Sequence, residues 1–83
     1  KPLKFKSSGI AIHPITGCIY LLSSLNSLLL VITGNEEIAG LYYLNPEIFP
    51  QPEGITFLQN GSMLISNEGR NKNATILMFK NYP

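Results

Sequence analysis

Apolar residues alternate with small or polar ones at Ile10 and Ile12, and again at Ile55 and Phe57. A period of two is the signature of a strand with one covered face. The runs Cys18 to Leu22 and Met63 to Ile65 are apolar throughout, as in strands covered on both faces. Leu28 to Ile32 is also apolar and ends in β-branched Val31 and Ile32, which suit a pleated surface. A further strand is expected from Glu37 to Tyr43, where Gly40 marks a bulge or a close backbone approach. No apolar spacing follows a period of 3.6, so no helix is expected.

Turn chemistry separates these runs. Asn60-Gly61 is a hairpin signal, because a type I′ turn needs positive φ at both central residues. Pro14-Ile15-Thr16-Gly17 reads as the same connection lengthened by one residue, and Gly34-Asn35 closes a third hairpin. Asn45-Pro46 and Pro50-Gln51-Pro52 interrupt the strands, since proline cannot donate to a ladder.

The pattern occurs twice. Ser8-Gly9-Ile10-Ala11-Ile12-His13 aligns with Glu53-Gly54-Ile55-Thr56-Phe57-Leu58 at an offset of 45. Gly17 through Ser23 aligns with Gly61 through Asn67 at an offset of 44, so one residue is lost in the first turn. Leu28 to Ile32 answers to Ile76 to Phe79. A repeat of this length built of short strands matches the four-stranded blade of a β-propeller. The expected fold is therefore all-β: two four-stranded antiparallel blades, with a three-stranded second blade as the alternative because no fourth strand is obvious after Lys80. The divisions are an N-terminal arm (1–7), a first blade (8–44), a linker (45–52) and a second blade (53–83).

Composition narrows the functional classes. Only 13% of the 83 residues are charged, about half the usual ~25% share, which suggests surfaces that face protein rather than water. The net charge of +1 comes with no basic stripe; Lys1, Lys4 and Lys6 form only a solvated arm, so no nucleic-acid partner is expected. The stretch Cys18 to Ile32 is broken by Ser23, Ser24, Asn26 and Ser27, so no transmembrane segment is expected, and no signal-peptide pattern opens the chain. The lone Cys18 reads as a small buried hydrophobe. His13, beside Pro14, reads as a turn residue, and Tyr42, Tyr43, Phe49 and Tyr82 as packing between blades. Asn60-Gly61-Ser62 and Asn73-Ala74-Thr75 fit the glycosylation pattern, which matters only in a eukaryotic secretory route.

Gln51-Pro52-Glu53-Gly54-Ile55-Thr56-Phe57, Asn60-Gly61 and Leu64-Ile65-Ser66-Asn67-Glu68 resemble the SdiA-regulated family, and Ser8 to Ser23 looks like the preceding blade of that family. The resemblance implies a six-bladed propeller of the bacterial periplasm, outer envelope or secreted fraction, with this chain as its C-terminal two blades. Phytase-like and lactonase-like propellers share the Glu-Gly-Ile opening. The first repeat departs from the second in carrying Ser8, Ser23 and Ser24 where the second has Glu53, Asn67 and Glu68.

Glu53 begins an inner strand and Asn67-Glu68 ends its antiparallel neighbour, so the three should approach one another at a channel mouth. They are the candidate ligand-binding residues, and Glu53 and Glu68 the candidate metal ligands, for calcium or magnesium. The alternative is that both carboxylates bond backbone amides or an arginine and orient the loops. No catalytic residue is assigned. The function expected is a binding or scaffold module; the alternative is part of a phytase-like or lactonase-like metal-dependent hydrolase. Two blades cannot close a ring of ~4–8, so the expected partners are the remaining blades of a parent propeller or copies of the chain itself, for example three chains making six blades.

Overall fold

A computed structural model describes residues 5–69 and 73–80; Lys1, Lys4, the Arg70-Asn71-Lys72 part of the second loop and Tyr82 lie outside them. Among the described residues seven strands follow one another. They are β1 (Gly9–Ile12), β2 (Ile19–Ser23), β3 (Leu28–Ile32), β4 (Ile38–Tyr43), β5 (Pro52–Phe57), β6 (Met63–Asn67) and β7 (Thr75–Phe79). They form two antiparallel meanders, β1-β2-β3-β4 and β5-β6-β7, with no helix among the described residues. The second sheet is three-stranded.

The register of the two sheets repeats. Gly9 pairs with Leu22 and Ile12 with Ile19 in the first; Gly54 pairs with Ser66 and Phe57 with Met63 in the second. The residue lost between repeats is visible in the hairpins. Gly17 N–H donates to His13 O four residues back (2.9 Å), whereas Gly61 N–H donates to Leu58 O three residues back (2.9 Å).

Every described hairpin uses one device. The residue whose N–H closes the turn has positive φ: Gly17 (77°), Ser27 (53°), Glu36 (66°) and Gly61 (93°). This corrects the type I′ expectation at Asn60-Gly61, since Asn60 does not have positive φ. The turn there is the longer kind that ends in one left-handed residue; the Asn60 side-chain Oδ1 accepts Ser62 N–H at 2.9 Å instead. In the third hairpin the left-handed position falls on Glu36 rather than on Gly34, and Thr33 Oγ1 accepts the Asn35 and Glu37 N–H groups beneath it.

The sheets pack face to face, with β5 against β1 and β2. The core between them comes from Tyr20, Leu22, Leu29 and Val31 of the first sheet and Met63 and Ile65 of the second. Ile55, Phe57, Leu77 and Phe79 close it from the second sheet. Leu44 and Phe49 enter from the connection between sheets, where Asn45 O accepts the Ile48 and Phe49 N–H groups, and Phe49 stacks on Phe79 at 6.0 Å. Gly9 permits the close approach: a Cβ there would meet Ile55 Cγ2 at 3.3 Å and Glu53 O at 3.4 Å.

Repeat-equivalent positions face the same way, so the two sheets bury opposite faces. The first buries Tyr20 and Leu22, whose equivalents Leu64 and Ser66 lie on the outer face of the second. The second buries Met63 and Ile65, equivalents of Ile19 and Leu21 on the outer face of the first. Both outer faces remain apolar, with Ile10 63%, Ile12 64%, Leu41 55%, Ile76 71% and Met78 51% exposed.

Gly40 lies beside the bulge expected of it: β4 pairs Val31 with Gly40 and Ile32 with Ile38, leaving Ala39 unpaired. The Tyr42 ring lies over Gly40, where a Cβ would come within 2.6 Å of it. Tyr42 and Tyr43 do not fill the space between sheets as expected. No strand of the second sheet lies against β4, and the two rings stay exposed.

Candidate functional site

The starts of β1 and β5 and the ends of β2 and β6 lie at one end of the sandwich. At the β5 end, Pro52 pairs with Asn67 and Gly54 with Ser66, so Glu53 is an extra, bulged residue. A bulge re-aims the side chain it carries. Glu53 is exposed, and its Oε2 accepts a hydrogen bond from Gln51 Nε2 at 3.0 Å. Gln51 also holds the neighbouring strand, its main-chain O accepting Glu68 N–H at 2.8 Å.

The first sheet contributes through Ser8, the repeat equivalent of Glu53. Its Oγ donates to Pro52 O at 3.1 Å and accepts Ser24 N–H at 3.1 Å, which ties β5 to the end of β2. Between the sheets here runs an open groove of about 600 Å³, lined by Lys6, Ser7, Ser8, Ser24, Leu25, Pro50, Gln51 and Glu53. The lining combines an ammonium group, a carboxylate, an amide and three hydroxyls.

The backbone brings Glu53, Asn67 and Glu68 together, but their side chains part. Glu53 lines the groove; Glu68 is exposed outside it; Asn67 is buried at 3% exposure. Neither Nδ2 nor Oδ1 of Asn67 has a hydrogen-bond partner. Calcium takes ~6–8 oxygen ligands, and among the described residues no three His, Cys, Asp or Glu side chains are grouped to hold a metal ion. The donors present do not compose a calcium or magnesium site by themselves.

His13 is used structurally. It is 3% exposed, its ring lies 4.8 Å from Phe57, and its Nδ1 accepts the Ile15 and Thr16 N–H groups at 3.1 and 3.3 Å. The side chains that sequence reasoning left out are Lys6, Ser8, Ser24 and Gln51. The repeat held the signal for two of them, since Ser8 and Ser24 stand at the positions of Glu53 and Glu68.

Among the described residues no helix is long and apolar enough to cross a membrane. No protein-family model matches the chain, and no curated protein shows significant similarity to it.

Proposed function

We propose that the chain is a pair of neighbouring blades of an SdiA-regulated-like β-propeller of the bacterial envelope or secreted fraction, acting as a binding or scaffold module. Its ligand site in this reading is the groove between the starts of β1 and β5. The observation that carries it is the bulge at Glu53, which turns a carboxylate into a cleft lined by Lys6, Ser8, Ser24 and Gln51. Such a lining suits a small polar ligand with donors and acceptors of its own. Binding is favoured over metal-dependent hydrolysis because, among the described residues, Glu53 is the only carboxylate lining this groove. The two-sheet body would be completed by further blades or by copies of the chain.

The test is an amide NMR titration of the chain with calcium chloride, inorganic phosphate, glucose and glycylglycine as separate probes. Saturable shifts confined to Lys6, Ser8, Ser24, Gln51 and Glu53 with at least one probe, weakened at least fivefold by Glu53→Gln, are expected. Shifts scattered over the surface, or none with any probe, would reject the groove as a ligand site.

A further inference from the structure

The two outer faces of the sandwich are unlike, and each repeats a face that the chain already packs. We infer that copies of the chain associate head to tail, the outer face of the first sheet of one copy docking on the outer face of the second sheet of the next. This deepens the self-association proposed above and rests on the repeat that underlies it.

The internal interface is the template. Inside the chain Ile55 seats against Gly9, with its Cγ2 3.3 Å from a Cβ built there. The equivalent of Ile55 is Ile10 and that of Gly9 is Gly54, so Ile10 of one copy would seat on Gly54 of another. Phe57 inside the chain lies edge-on to Tyr20 at 4.8 Å; their equivalents are Ile12 and Leu64. The strand registers place Ile76 opposite Ser66 and Met78 opposite Leu64, as Leu29 stands opposite Leu22 and Val31 opposite Tyr20. Ile76 and Met78 therefore stand where core residues stand in the first sheet, yet they are 71% and 51% exposed.

A second copy supplies both faces. No paired strand position on either face is charged: Ile10, Ile12, Leu21 and Leu41 share one, and Thr56, Leu64, Ile76 and Met78 the other. Because the contact is heterologous, it propagates until the rotation between copies closes a ring.

The experiment uses Ile12→Lys, which spoils the first-sheet face, and Met78→Lys, which spoils the second, with mass measured by light scattering after gel filtration. The wild-type chain should exceed the mass of one chain, and each variant alone should run as a monomer. Mixed in equal amounts they should form a heterodimer of about twice 9.2 kDa and nothing larger, because each supplies the face the other lacks. Circular dichroism checks that each variant folds, and Ile10→Lys with Ile76→Lys forms a second complementary pair. A mixture that stays monomeric, or a single variant that still dimerises, would overturn the head-to-tail inference while leaving self-association standing. A wild-type monomer up to millimolar concentration would overturn both.

Discussion

Asn67 stands at 3% exposure with both amide atoms unbonded, next to a paired strand end. A buried polar group without a partner costs about 1–3 kcal/mol. Asn67→Leu, of nearly the same shape, should therefore raise unfolding stability by about 1–2 kcal/mol in a urea titration. A loss of stability would mean that a bound water or ligand group completes the amide. His13 makes the opposite case, a buried polar side chain whose Nδ1 is committed to two backbone donors. That arrangement requires the proton on Nε2, a tautomer that long-range nitrogen–proton NMR correlations at neutral pH should show directly.

Among the elements, the hairpins carry the clearest consequence. Four turns share a left-handed closing residue, but only two of the four are glycine. A residue with a Cβ in that conformation costs about 1–2 kcal/mol. Glu36→Gly and Ser27→Gly should each stabilise the chain by roughly 0.5–1 kcal/mol, after the entropy glycine adds to the unfolded state. Gly61→Ala should cost more than that, since its Cβ would also press on His13 Cε1 and Ile15 Cδ1 at 3.3 Å. Paired denaturant melts of the three variants check the signs. The bulge at Glu53 matters at the same scale. Without it the residue would lie in register on the strand, and the groove would lose its carboxylate.

The molecule as a whole presents an apolar outer face on each of its sheets, where Ile10, Ile12, Ile76 and Met78 are all more than half exposed. Exposed apolar faces of this kind mark contact with other protein. Association of the folded form makes thermal stability depend on concentration. The wild-type melting temperature should therefore rise by several degrees between micromolar and millimolar protein, and that of Ile12→Lys should stay level. A level wild-type curve would show that both faces remain in water.

Much of this architecture was legible along the chain. Period-two alternation located the strands, and the offsets of 45 and 44 located both the repeat and the turn that loses a residue, because backbone pairing and glycine chemistry are local. The site was legible only in part. The antiparallel neighbours Pro52 and Asn67 bring the strand ends together as adjacency implies, but the bulge that aims Glu53 and the burial of Asn67 follow from packing. The choice of face also belonged to the tertiary structure alone. Both faces of β2 are apolar, Ile19 and Leu21 on one and Tyr20 and Leu22 on the other, so alternation could not rank them. The ranking came from stacking two sheets of like orientation, where one must turn toward its neighbour the face that the other turns away.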